Sequence, residues 1–220
     1  MTAGGGNGGA GAVQIQTVEF VGAITRPGQR APEALPQIAF AGRSNVGKSS
    51  LINRLLGRTR RPIARVSSTP GKTQEINFYR ICARSSAGSA HRFLLVDLPG
   101  YGYARAPTAV RAGWGPLIES YLAGEDGLRG VVQLVDIRHP PTELDRHMME
   151  YLEALRVPAV LVLTKADKLG IRTAAQRAVD LVGALGLPED QVIAFSAKTG
   201  AGRDALLGAL HALLFEEAPE

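Results

Sequence analysis

The chain has 220 residues, 45% of them hydrophobic, a formal net charge of +5 and a single cysteine, Cys82. That length supports one sizeable core, and a lone cysteine excludes an internal disulfide framework. No apolar run is long enough to span a bilayer, and the start lacks a basic region followed by an apolar block, so a cytoplasmic protein without a signal peptide is expected.

Residues 2–12 read TAGGGNGGAGA. Such a segment cannot bury enough apolar surface to offset its ordering entropy, so residues 1–12 are expected to be a disordered extension. Val13 to Ile24 has alternating apolar residues around Val18, Phe20 and Gly22 and is a candidate edge strand. Three prolines between Arg26 and Pro36 mark a connecting loop.

Gln37 to Ala41 is short and apolar, as a buried parallel strand is. It runs into Gly42-Arg43-Ser44-Asn45-Val46-Gly47-Lys48-Ser49, and a helix-like run follows that ends near Gly57. Strand, glycine loop and helix form the context of a phosphate-binding P-loop. Gly42 and Gly47 permit backbone angles that let successive N–H groups turn onto an anion. The helix start adds unpaired donors and a positive dipole end. Lys48 supplies a point charge for the outer phosphates, and the Ser49 hydroxyl can ligate magnesium.

Arg58 to Gln74 is polar and basic, with Pro62 and Pro70, and predicts a loop. At that length such a loop is functional or mobile. Glu75 to Ala83 and Arg92 to Leu98 predict strands joined by a small-residue turn over Ser85 to Ala90, hence one antiparallel pair. Cys82 in the first of them reads as a small packing residue. The second strand ends in Asp97-Leu98-Pro99-Gly100, where the aspartate can hold magnesium and the Gly100 N–H can reach a γ-phosphate.

Pro99 to Gly113 is a basic, glycine-rich loop, and Trp114 to Leu122 predicts a helix. Gly130 to Val135 predicts a buried strand that runs into Asp136-Ile137-Arg138-His139-Pro140-Pro141. Thr142 with Asp145 three residues on is a capping-box pattern, and Leu144, Met148, Tyr151, Leu152 and Leu155 form a core-facing helical stripe. Pro158 to Leu163 is the next strand, ending at Thr164-Lys165-Ala166-Asp167. A helix over Thr173 to Leu185, a strand over Gln191 to Phe195 and a helix over Gly202 to Phe215 complete the pattern, before a tail at 217–220. Strands alternating with helices predict an α/β, doubly wound fold built on the P-loop: a mostly parallel six-stranded sheet with one antiparallel strand and helices on both faces. Residues 13–216 are expected to be one domain, and its ligand to sit at the carboxyl ends of the strands.

Guanine presents N1–H and an exocyclic amine side by side. A carboxylate in the base plane accepts both, and Asp167 suits that role, with the stem of Lys165 lying over the ring. Phe195-Ser196-Ala197 at the last strand end offers the Ala197 N–H to the guanine O6. Together with the P-loop these tetrapeptides point to GTP and GDP.

On GRSNVGKSSLIN (42–53), STPGKTQEINFY (68–79), DLPGYGYA (97–104), LVDIRHPPTELD (134–145), LVLTKADKL (161–169) and FSAKTG (195–200), the chain resembles the EngB family, also called YihA or YsxC, within the TrmE-Era-EngA-EngB branch of GTPases. The likeness covers roughly residues 18–215. It implies that Thr73 completes magnesium coordination beside Ser49 and Asp97, and that Gly71, Lys72, Thr73, Gln74 and Glu75 lie against the nucleotide. By chemistry alone Thr69 rivals Thr73. The resemblance further implies a role in late assembly of the large ribosomal subunit, with rRNA and ribosomal proteins as partners, and a need in normal cell division and septation. A monomer without a membrane partner is expected.

In-line attack of water on the γ-phosphate needs neutralised charge and a positioned water. Lys48, Thr73, Gly100 and the loop amides are the candidates for the first. The residue after Gly100 is Tyr101 rather than the glutamine that positions water in other GTPases, so intrinsic hydrolysis is expected to be slow. Related GTPases with an asparagine at the Asn45 position hold a potassium ion there, which makes Asn45 a candidate catalytic residue. The rival readings are a metabolic GTPase, which no further catalytic domain supports, a membrane-linked division protein, which no amphipathic basic helix or lipidation motif favours, and a regulator acting directly on the division machinery without ribosome binding. His91, His139, His147 and His211 lack metal-ligand spacing.

Overall fold

Period-two alternation sorts the strand residues of this chain onto two faces of one sheet. The computed structural model describes residues 14–64, 75–85, 88–102, 115–186 and 192–216. Within them lie β1 (Gln14–Ile24), β2 (Gln37–Gly42), α1 (Lys48–Leu55), β3 (Ile76–Arg84), β4 (Ala90–Asp97), α2 (Pro116–Gly124), β5 (Leu128–Asp136), α3 (Glu143–Ala154), β6 (Ala159–Thr164), α4 (Ile171–Leu185), β7 (Val192–Ala194) and α5 (Arg203–Phe215). The strand order is β1-β3-β4-β2-β5-β6-β7. Only β3 runs against its neighbours, pairing antiparallel with both β1 and β4.

The sheet therefore has seven strands, not the six expected. The extra one is the candidate edge strand: its register against β3 runs from Gln14↔Arg84 to Ile24↔Ile76. Half-buried Ile15 and Val18 pack on one face of the core and Val21 on the other, so β1 closes the β3 edge by burial on both sides. Two register irregularities, at Ile15/Thr17 and Phe20/Gly22, interrupt the ladder of this outer strand.

Ile38 and Phe40 face α1 and α5, where Leu51, Ile52, Leu55, Leu206 and Leu210 are buried. Ala39 and Ala41 face the opposite layer, with Ile118 and Leu122 of α2 and Met148 and Leu152 of α3. A third cluster seats Leu181 of α4 on Leu161 and Leu163. The predicted stripe of α3 is core packing: Leu144, Tyr151 and Leu155 are half-buried against the same cluster as Met148 and Leu152.

The predicted capping box is present, with Thr142 and Asp145 exchanging backbone and side-chain hydrogen bonds. Helix α2 begins two residues later than expected because Pro116 sets its first turn, where a missing N–H costs nothing. His91 and His211 pack against Phe215, with ring centroids 4.3 Å and 5.4 Å from it. The predicted extension (1–12), the tail (217–220) and most of the loops 58–74 and 99–113 lie outside the described residues.

Candidate functional site

Strands β2, β4, β5, β6 and β7 run parallel, so their carboxyl ends gather at one edge of the sheet. The predicted site residues that lie within the described residues collect there. Gly42 is buried at the end of β2, and exposed Arg43 bridges to Tyr101. Ser44 N–H donates to the Tyr101 carbonyl at 2.9 Å, and its hydroxyl donates to the Gly100 carbonyl at 3.2 Å. A Cβ on Gly100 would stand 3.2 Å from Ser44 backbone atoms, so this close approach favours glycine. Asn45 and Gly47 have positive φ, 67° and 105°, and α1 begins at Lys48 with Gly47 as its N-cap. No side chain caps that helix start. Lys48 and Ser49 thus occupy the first helical turn, where unpaired N–H groups and the dipole favour an anion.

The Lys48 ammonium contacts the Asp97 carboxylate. Asp97 ends β4 directly beside Phe40 of β2, and the buried Leu98 N–H donates to the Phe40 carbonyl at 3.2 Å. Pro99 follows, half-buried. Ser49 and Asp97 are oxygen donors, a set that suits a hard ion such as magnesium. Of the second loop's candidates, only exposed Glu75 lies within the described residues; Gly71, Lys72, Thr73 and Gln74 do not.

The end of β6 is fastened to the P-loop. Thr164 Oγ1 donates to the Val46 carbonyl at 2.7 Å, and Lys165 Nζ donates to the Asn45 carbonyl at 2.8 Å. Ala166 N–H donates to the carbonyl of fully buried Phe195 at 3.1 Å, which aligns the ends of β6 and β7. Ser196 Oγ donates to Asp167 Oδ1 at 2.8 Å and accepts from Thr199 N–H at 3.1 Å. One Asp167 oxygen is thereby oriented by the neighbouring loop. Arg54 Nε donates to the Ala197 carbonyl at 2.6 Å, and Arg54 also donates to the Lys198 carbonyl.

Four residues carry roles that sequence reasoning missed. Tyr101 is buried and its hydroxyl is engaged: it donates to Asp145 Oδ1 at 2.9 Å and accepts from the Gln133 amide. Burial and the Asp145 charge push the Tyr101 hydroxyl well above its ordinary pKa. Asn53, buried in α1, accepts from the N–H groups of Ile63 and Ala64 at 2.9 and 3.1 Å and donates to the Ala64 carbonyl at 2.9 Å. It pins the start of the basic loop to the P-loop helix. Asp136 and Arg138 form an ion pair at the end of β5. With Arg43, Asn45, His139 and Lys165 they line a cleft of about 220 Å³ beside the P-loop. An acid and a base two residues apart at a strand end, Asp136-Ile137-Arg138, was the one sequence signal available for that pair.

A family model described as "50S ribosome-binding GTPase" matches residues 37–165. The chain is 50% identical over 201 residues to the "Probable GTP-binding protein EngB" of Gemmatimonas aurantiaca, covering 91% of this chain and 94% of that one. It is 46% identical over 206 residues to the protein of the same name from Desulforamulus reducens, covering 93% and 96%. A crystal structure of a probable GTP-binding protein engB superposes with a TM-score of 0.62 at 24% identity, over 82% of this chain and all of that one. Era in complex with MgGDPNP and nucleotides 1506–1542 of 16S ribosomal RNA superposes with a TM-score of 0.64 at 21% identity, over 84% of this chain and 59% of that one.

Proposed function

The chain belongs to the EngB family of GTPases, and we propose that it is a GTP-driven switch in assembly of the large ribosomal subunit. The observation that carries this reading is the Asn53 clamp. It fixes half-buried Arg58 and exposed Arg60 and Arg61 immediately before the loop that would sense the γ-phosphate. A change of nucleotide would alter the loop that follows while this basic patch stays fixed on the P-loop helix, and rRNA phosphates are the natural counterpart of the patch. The ribosome-binding description of the family, and the rRNA bound by Era, support the same class of partner. A requirement in cell division and septation would follow from the supply of ribosomes. The protein acts in this reading as a cytoplasmic monomer.

Sedimentation with ribosomal subunits in GTP, GDP and a non-hydrolysable analogue tests the proposal. Comigration with the large subunit in the triphosphate states alone is expected. Equal sedimentation in all three states, or none in any, rejects the switch.

At the nucleotide, the P-loop amides and Lys48 hold the phosphates, Asp167 takes the guanine N1–H and amine, and Ala197 N–H meets O6. Ser49 and Asp97, with Thr73, would hold magnesium, which when bound neutralises charge on the β- and γ-phosphates. Tyr101 is committed to Asp145, so hydrolysis proceeds without a water-positioning side chain at that position and is slow. Asn45, at the turn of the loop, would ligate a potassium ion that adds positive charge there. Turnover is expected to be about tenfold faster in potassium than in sodium buffer, a gain of roughly 1.4 kcal/mol in the barrier. Equal rates reject the role for Asn45.

A further inference from the structure

Lys165 is held at both ends of an unusual conformation. Its backbone is left-handed, φ 62°, a region that side chains other than asparagine, aspartate and histidine seldom adopt. Its stem runs over the P-loop, since a Cβ on Gly47 would meet Lys165 Cε at 3.7 Å. Its ammonium reaches the Asn45 carbonyl at 2.8 Å and Asp136 Oδ2, also at 2.8 Å.

We propose that Asp136, clamped by Arg138, is a positioning residue for guanine-nucleotide binding: it fixes Lys165 across the base and phosphate subsites and so sets how long the nucleotide stays. The inference rests on the assignment of this edge of the sheet to GTP and GDP.

The register of the two strands brings the pair together, because Asp136 of β5 lies beside Thr164 of β6. Asp136 is 13% exposed at its side chain. Both of its oxygens are engaged: Oδ1 accepts Arg138 N–H at 3.1 Å and Arg138 Nε at 2.9 Å, and Oδ2 accepts Arg138 Nη2 at 2.8 Å. A carboxylate gripped bidentately by a guanidinium has little freedom to rotate. Oδ2 therefore stays aimed at Lys165. Burial would push the Asp136 carboxyl up, but the hydrogen bonds from Arg138 and Lys165 outweigh it and hold the group well below the usual carboxylate range. A free lysine side chain samples many rotamers, and ordering it on binding opposes affinity. Asp136 orders it beforehand. A nucleotide then meets a preformed lid over its base.

A double-mutant cycle separates this role from fold support. Dissociation of a fluorescent GDP is measured for the wild type, Asp136→Asn, Lys165→Ala and the double variant. Asp136→Asn is expected to release GDP about tenfold faster, the scale of one charge-assisted hydrogen bond lost. With Lys165→Ala already present, the same substitution is expected to change the rate less than about twofold. Full, additive effects in both backgrounds would overturn the proposal. Should Asp136→Asn not fold, Arg138→Gln takes its place in the cycle: its solvent-facing side chain leaves the core intact, and an effect that does not depend on Lys165 again overturns the role. Wild-type binding of GDP in preference to ADP serves as the control for the guanine assignment itself. If that preference is missing, the assignment falls; if it is present and the variants release GDP at the wild-type rate, only the role of Asp136 falls.

Discussion

The Asp167→Asn variant is expected to lose GDP affinity by about 100-fold or more and to gain affinity for xanthosine diphosphate. Guanine offers two adjacent donors, and the carboxylate offers two acceptors. An amide offers one of each, so one guanine donor would face an N–H. Xanthine presents a donor beside a carbonyl and complements the amide. Ser196 Oγ, which donates to Asp167 Oδ1, selects the orientation, because the amide oxygen keeps that hydrogen bond and leaves the nitrogen for the base. Charge-assisted bonds contribute about 1.5–3 kcal/mol each, so disrupting the pair reaches the 100-fold range. Equilibrium titration with both diphosphates checks it. Unchanged GDP affinity would mean that Asp167 does not read the base.

The Tyr101→Phe variant is expected to fold less stably by about 2 kcal/mol while hydrolysing GTP at nearly the wild-type rate per folded molecule. Removing the hydroxyl deprives buried Asp145 of a donor and the Gln133 amide of its acceptor. Unmet buried polar groups cost about 1–3 kcal/mol. For a chain of this size that lowers Tm by roughly 4–8 °C. Thermal melts together with single-turnover hydrolysis distinguish the outcomes. A tenfold fall in hydrolysis at unchanged Tm would falsify the structural assignment and restore Tyr101 to the chemistry.

The P-loop was legible because it is a local pattern, a strand, a tight turn and a helix start within about fifteen residues; Asp97 and Asp167 stood out as acids at or just after the end of an apolar strand run. The core stripes of α3 and α5 were legible for the same reason, period and apolarity being properties of one segment. Tyr101 shows the limit. The sequence says only that glutamine is missing at that position; that the ring turns inward depends on Asp145, 44 residues on, being buried in the right place. Lys165 finds Asp136 through the parallel register of β5 and β6, and Arg54 finds Ala197 across 143 residues. No composition or spacing encodes these meetings. The strand count erred because β1 is only half-buried, so its alternation is weak, and its place in the sheet comes from β3 rather than from itself.

In the proposed nucleotide assignment, helix α1 presents its amino end to the phosphates and, through Arg54 near its other end, holds the loop that faces the base. Eight helical residues span about 12 Å. The helix is therefore a ruler, and a nucleotide is a bivalent ligand measured against it. Each half alone, a nucleoside or a pyrophosphate, meets one end and bears the whole entropic cost of association. Joined, the second contact forms at the high effective concentration set by a rigid spacer, so affinity for the whole exceeds what either half suggests.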